Sequence, residues 1–240
     1  SSSRTAWWRS PFQRSRSTRG HMMKLSSYDG NPFIGVYCAA NESFSIVPHD
    51  SSKSLSEDIG ASLEVEVEKG SIGGSNVIGA LIALNSYGAV VTNMATQEEL
   101  ERLSRRVPVH RLSDRMNATG NNILANDNGA LVNPNLGRSA VREISEALQV
   151  EVRQGSVANC NTVGSACVVT NKGLLCHPNT SEKEQEMLRS IFKVPVSIGT
   201  LNYGSGLVGA CMVANTRGAA VGSQSTPIEL GRVEDSLGFV

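Results

Sequence analysis

Short apolar runs separated by polar turns recur along this chain at a nearly constant interval. The segment IGALIALNSYGAVV from Ile78 aligns with TGNNILANDNGALV from Thr119, VGSACVVTNKGLLC from Val163 and VGACMVANTRGAAV from Val208. A fifth, weaker copy is IGVYCAANESFSIV from Ile34. Each copy has a glycine at its second position, Gly35, Gly79, Gly120, Gly164 and Gly209, at intervals of 44, 41, 44 and 45 residues. Nine residues later stands a second glycine, Gly88, Gly129, Gly173 or Gly218, with Phe44 in that slot of the first copy. In each copy the first glycine opens an apolar run such as Ala80–Leu84. A polar turn such as Asn85–Gly88 or Asn126–Gly129 follows, and a second apolar run returns, as in Ala89–Val91 or Ala130–Val132. This pattern predicts a β-hairpin whose turn glycine supplies a positive φ.

Eight residues after the turn glycine a helix start is written into three copies. Thr96, Ser181 and Thr226 each precede a glutamate by three residues (Glu99, Glu184, Glu229), and Pro227 sits at a first helical position. That is the signature of a capping box. Apolar stripes at helical spacing follow: Leu100, Leu103 and Val107; Val141, Ile144 and Leu148; Leu230, Val233 and Leu237. Leu188 with Phe192, and Ile59 with Leu63, keep the same register in the remaining copies. A short alternating strand comes next, as in Val65-Glu66-Val67, Val150-Glu151-Val152 or Val194-Pro195-Val196. The fifth copy stops after its helix, while the run Lys24–Tyr28 precedes the first copy as a spare strand. Ser26 lies nine residues before Gly35, as Gly70 lies nine before Gly79. The chain is therefore expected to be an α+β fold of five quasi-equivalent αββ repeats, closed into a ring when the N-terminal strand completes the last one. Closure removes the need for terminal capping repeats, so residues 23–240 are expected to be a single five-repeat domain.

Composition sharpens this. Lysine plus arginine number 22, as do aspartate plus glutamate, but residues 1–22 hold five arginines and no acid. They also hold Trp7 and Trp8 and end Gly20-His21-Met22 immediately before Met23. Such a segment reads as a vector-derived or disordered leader, the alternatives being a native basic arm or an organelle import signal. Without it, 17 basic residues face 22 acidic ones, a net charge of −5. An acidic domain is no nonspecific nucleic-acid binder. The apolar runs, such as Val77–Leu84 interrupted by Gly79, are too short to span a bilayer. Five cysteines, an odd number without C-x-x-C spacing or an apolar signal peptide, point to a reducing, cytoplasmic setting.

Candidate chemistry is sparse. Gly204-Ser205-Gly206-Leu207-Val208-Gly209 matches the dinucleotide fingerprint, with Glu229 twenty residues on, yet Gly209 is expected to open a strand, and the equivalent segments lack the pattern. Cys38 and Cys167 fill the slot of Ile82 and Ile123, and Cys176 that of Val91 and Val132, so these three read as buried hydrophobes. Cys160, in a linker turn, is expected to be exposed. His177, next to Cys176, would point to the opposite face of the strand. His49 and His110 have no ligand-spaced partner. The charge runs Glu98–Arg102 and Glu182–Glu186 read as solvated helix faces, and Arg105-Arg106 as complementing a helix dipole. No catalytic residue, cofactor or metal site is expected.

Several separate motifs, in order, carry a resemblance. They are Gly70-Ser71-Ile72-Gly73-Gly74-Ser75; Thr119-Gly120-Asn121-Asn122 with Asn126-Asp127; Val163-Gly164-Ser165 with Thr170-Asn171-Lys172-Gly173 and His177-Pro178; and the closing Glu229–Leu237 helix. Together they resemble the translation initiation factor 6 family over Met23–Val240. The resemblance implies a pentein fold, a ring of five αββ units about a pseudo-fivefold axis, in a non-enzymatic, monomeric protein. It implies binding to the intersubunit face of the large ribosomal subunit, near a uL14-type ribosomal protein, where the factor blocks joining of the small subunit. Eukaryotic members also assist large-subunit maturation and carry a C-terminal tail; a chain stopping at Val240 looks like the archaeal form. On this resemblance the docking rim is expected at the first-glycine turns, Gly35, Gly79 with Ala80, Gly120 with Asn121, Gly164 and Gly209. The pair Gly120-Asn121 is the leading candidate, the alternative for Asn121 being a turn asparagine that bonds its own backbone. The negative charge makes ribosomal protein the main contact and rRNA a secondary one. A rival from another class is a guanidine-modifying hydrolase or transferase, which uses the same ring with a cysteine nucleophile.

Overall fold

The computed structural model describes residues 22–239. The expected leader lies outside the described residues, apart from Met22, which packs against buried apolar side chains. Among the described residues, fifteen strands and ten helices form five successive units. The first holds α1 (Ile34–Tyr37), β2 (Ala39–Ala40), β3 (Phe44–Pro48), α2 (Lys53–Leu63) and β4 (Glu66–Gly70). In the second are α3 (Ile78–Leu81), β5 (Ile82–Leu84), β6 (Ala89–Val91), α4 (Gln97–Ser104) and β7 (Val109–Arg111). The third has α5 (Thr119–Asn122), β8 (Ile123–Ala125), β9 (Ala130–Val132), α6 (Arg138–Leu148) and β10 (Val152–Gln154). The fourth comprises α7 (Val163–Ala166), β11 (Cys167–Val169), β12 (Leu174–Cys176), α8 (Glu182–Phe192) and β13 (Val196–Ile198). The fifth has α9 (Val208–Cys211), β14 (Met212–Ala214), β15 (Ala219–Gly222) and α10 (Pro227–Leu237). Its third strand comes from the other end of the described chain: β1 (Met23–Ser26) pairs parallel with β15, Met23 opposite Ala219 and Ser26 opposite Gly222.

Every sheet has three strands, an antiparallel hairpin plus one strand parallel to its second arm. In the first four units the long helix is the crossover that a parallel pair requires. Long helices also reach the neighbouring sheet: α2 contacts β15, α6 contacts β6 and α10 contacts β12. The short helices touch in series, α1 with α3, α3 with α5, α5 with α7, α7 with α9, and α9 again with α1. These contacts are consistent with a repeated, ring-like α+β fold.

Local sequence accounts for the long helices. Thr96, Ser181 and Thr226 accept from the amides of Glu99, Glu184 and Glu229, whose carboxylates bond back, so all three capping boxes form. Glu64, Gln149, Lys193 and Gly238 end their helices in the left-handed conformation. The inward stripes are buried: Ile59, Leu63, Leu103, Ile144, Leu148, Leu188, Phe192, Val233 and Leu237 are each fully removed from solvent. Each such side chain contributes about 1.5–3 kcal/mol relative to exposure.

Three expectations change. The hairpin glycines do not take a positive φ; among the described residues the glycines that do are Gly30, Gly73, Gly74, Gly204 and Gly238. Asn85 shapes its turn instead, its Oδ1 accepting from the amides of Tyr87 and Gly88 at 3.0 Å each. Gly88 is needed because a Cβ there would overlap the carbonyl oxygen of Ala147, on the next unit's helix. The first glycines do not open strands; each lies inside a one-turn helix, and the strand starts later, at Ile82 rather than Ala80. The crossover strands also begin later than the alternating pattern suggests, at Glu66, Val152 and Val196.

Candidate functional site

Five one-turn helices bring Gly35, Gly79, Gly120, Gly164 and Gly209 round one open depression of about 130 Å3, together with Asn121, Ser165 and Ala210. The glycines are packed in series. A Cβ on Gly79 would overlap the carbonyl oxygen of Gly35, one on Gly120 that of Gly79, and one on Gly164 that of Gly120. A Cβ on Gly209 would overlap Gly164, and one on Gly35 would overlap Gly209. Glycine is required here for close backbone approach. The structure thus gathers six of the seven expected docking residues at one surface. Ala80 does not line it and is 8% exposed. Asn121 is half-buried in α5 and lines the depression, so it is a helical rather than a turn asparagine.

The residues Ala40, Leu84, Ala125, Val169 and Ala214 line this depression and also a second, smaller one of about 60 Å3. The second is bordered by Asn41, Asn85, Asn126, Thr170 and Asn215. Here the side chains form a ladder between units. Asn85 Nδ2 donates to Asn126 O at 3.2 Å and to Leu148 O at 2.8 Å. Asn126 Nδ2 donates to Thr170 O at 3.1 Å and Phe192 O at 3.0 Å. Asn215 repeats this with Asn41 O and Leu63 O, and Asn41 reaches Asn85 O. Thr170 stands in the asparagine slot without an amide to donate; its Oγ1 accepts from Lys172 N and Gly173 N. Sequence reasoning passed over this ladder, although its signal was present: asparagine recurs six residues after the first glycine in four copies.

The linkers add a third set of contacts. Glu99 accepts from the amides of Gly73 (2.8 Å) and Gly74 (3.2 Å) and from Ser71 Oγ (2.9 Å), besides capping α4. Glu229 accepts from Tyr203 N, Gly204 N and Thr200 Oγ1, and Glu184 from Ala158 N. Burial pushes each of these carboxyls up, but the amides and hydroxyls outweigh it and hold all three below the usual carboxylate range. Glu99, at 7% exposure, is thus no part of a solvated face. Arg106, in the turn after α4, pairs with Glu66 and Glu68 on β4 at 2.5 and 2.6 Å rather than only facing a helix end. His110 likewise has a partner that spacing did not reveal: its Nε2 lies 3.0 Å from Glu143 Oε2, whose carboxyl this bond holds low.

The cysteines are withdrawn from solvent. Cys38, Cys167, Cys176 and Cys211 are all buried, and burial pushes the Cys38 thiol up to about 12. Cys160 is half-buried against the same cluster as Cys167, rather than exposed. Among the described residues no three histidine, cysteine or acidic side chains group to hold a metal ion. Nor does the fingerprint work as a phosphate site, because Gly209 lies within the four-residue helix α9, pressed on Gly164. No helix among the described residues is long and apolar enough to cross a membrane.

The fold is a repeated scaffold that gathers six of the seven expected contact residues on one face. Residues 23–236 match the model of a family described as the eIF-6 family. The chain is 40% identical to translation initiation factor 6 of Haloquadratum walsbyi over 220 residues, 91% of this chain and 97% of that protein. It is 42% identical to translation initiation factor 6 of Methanosarcina mazei over 207 residues, 86% of this chain and 94% of that one. The Thermoplasma acidophilum factor is 38% identical over 216 residues, covering 90% of this chain and all of its own length. The chain belongs to the eIF-6 family, a family of translation initiation factors and a non-enzymatic class.

Proposed function

We propose that this protein binds the large ribosomal subunit on its intersubunit face and sterically prevents the small subunit from joining, acting in translation initiation and large-subunit biogenesis. The observation that carries the reading is the family match along residues 23–236. The face around the first depression supports it: Gly120, Asn121, Gly164 and Ser165 are half-buried, with small side chains or none, so a partner's backbone can approach closely. With a net charge of −5 over residues 23–240, the factor docks chiefly on a uL14-type ribosomal protein, with nearby rRNA secondary. Residues 23–240 form one pentein domain about a pseudo-fivefold axis, closed by β1. The serial glycine contacts and the pairing of β1 with β15 support that arrangement. The protein works as a cytoplasmic monomer.

Sucrose-gradient sedimentation with purified subunits tests this directly. The protein should migrate with the large subunit and lower the yield of joined ribosomes as its concentration rises. Migration with neither subunit, or undiminished joining, overturns the reading. Asn121→Arg should abolish co-migration while leaving the melting temperature unchanged; undisturbed co-migration would remove Asn121 from the site.

A further inference from the structure

The fourth unit differs from its sisters at one pair of facing positions. Cys167 on β11 lies directly opposite Cys176 on β12. The corresponding pairs are Ile82 with Val91, Ile123 with Val132 and Met212 with Val221. The turn fixes which kind of pair this is. Thr170 N donates to Gly173 O at 2.9 Å, so residues 170 and 173 are a hydrogen-bonded pair. Pairs alternate along an antiparallel ladder, which makes Cys167 and Cys176 a non-hydrogen-bonded pair. At such positions the Cα atoms are roughly 4.5 Å apart and the side chains closest. A disulfide spans Cα separations of about 4.4–6.8 Å. Cys176 Sγ also donates to Ser197 O, on the neighbouring strand β13, at 3.2 Å.

We propose that Cys167 and Cys176 form a modification site, closed to a cross-strand disulfide by a small hydroperoxide. The thiolate of Cys176 attacks the peroxide; the O–O bond breaks, the alcohol or water leaves, and a sulfenic acid remains. The sulfur of Cys167 then attacks that sulfur. The S–S bond forms, the S–O bond breaks, and hydroxide leaves as water with the proton of Cys167. Two thiols give up two electrons and the hydroperoxide takes them. Cys176 goes first because the hydrogen bond from Cys167 holds its thiol below the ordinary value, whereas burial pushes Cys167 well above it. Both sulfurs are buried, so the rate follows local opening of β11 from β12 rather than surface collision.

The folded protein is treated with hydrogen peroxide, its remaining thiols are blocked in denaturant, and its peptides are mapped. Two of the five cysteines should escape blocking, joined in one dithiothreitol-reversible peptide pair containing Cys167 and Cys176. Closing this short loop should raise the melting temperature by about 5 °C. The double variant Cys167→Ile, Cys176→Val carries the pair that the second unit already packs. Its melting temperature should match that of the reduced protein and stay fixed on peroxide treatment. Five blocked thiols after treatment, or a link from either residue to Cys160, would overturn the assignment.

Discussion

The two depressions are built by opposite means. Around the first, all five units present the same residue, and backbone meets backbone with no room for a Cβ. Around the second, side chains bridge the units through hydrogen bonds, and one of the five positions has changed to Thr170. The difference is one of compliance. A Cβ overlapping a carbonyl oxygen cannot be relieved by a rotamer change, because both partners are main chain. A missing donor costs about one hydrogen bond and leaves the rest of the ladder standing. Threonine keeps the acceptor half of the asparagine role, at Lys172 N and Gly173 N, and gives up only the donor half.

That contrast orders the expected effects. Gly120→Ala places a Cβ against the carbonyls of both Gly79 and Ile82 and should cost more than about 4 kcal/mol, or prevent folding, in urea titrations. A loss below about 1 kcal/mol would mean that the short helices slide apart freely, and the contrast would fail. Asn126→Ala removes two donated and two accepted bonds at a buried site and should cost about 3 kcal/mol by the same assay. Glu99→Gln should cost about 2 kcal/mol at neutral pH, since charged acceptors give stronger bonds. The folded-state pKa of Glu99 lies below its unfolded value. Its contribution is therefore complete above the unfolded carboxyl value and fades as pH falls through the folded one. Glu99→Gln should accordingly flatten the acid limb of the stability profile, and an unaltered limb would show that another carboxyl dominates it. Thr170→Asn supplies the absent donor toward Asn215 O and should raise stability by about 1 kcal/mol. Gly231→Ala, inside α10 with nothing near the added Cβ, should raise it by about 0.8 kcal/mol, separating a glycine the packing needs from one it does not.

The sequence made some of these features readable and hid others for identifiable reasons. Hairpins and long helices were legible because period-two and period-3.6 patterns and capping residues act over neighbours in the chain. The three capping boxes stand where the spacing of Thr96, Ser181 and Thr226 put them. One-turn helices such as Thr119–Asn122 are too short to show a period, and glycine in them argues locally for a turn. The recurrence of the hairpin glycines is plain in the sequence, but its cause lies in packing and not in backbone conformation. Gly88 answers to Ala147, a residue far along the chain that no local pattern reveals. The second role of Glu99, toward Gly73 and Gly74, was hidden for the same reason. For the candidate docking face, the repeat supplied the positions and the fold brought six of them together, leaving Ala80 beneath.

The pairing of β1 with β15 bears on how the chain reaches this state. The first of the described strands to be synthesised finds its partner only after nearly all the other described elements have been made. Until then the fifth sheet lacks a strand, and β15 keeps an open edge able to pair with another chain. The fifth unit should therefore be the last to consolidate, setting the pace of folding through loop closure over almost the whole described chain. A permuted chain that places Met23–Ser26 directly after α10 would make that contact local and should shorten the wait.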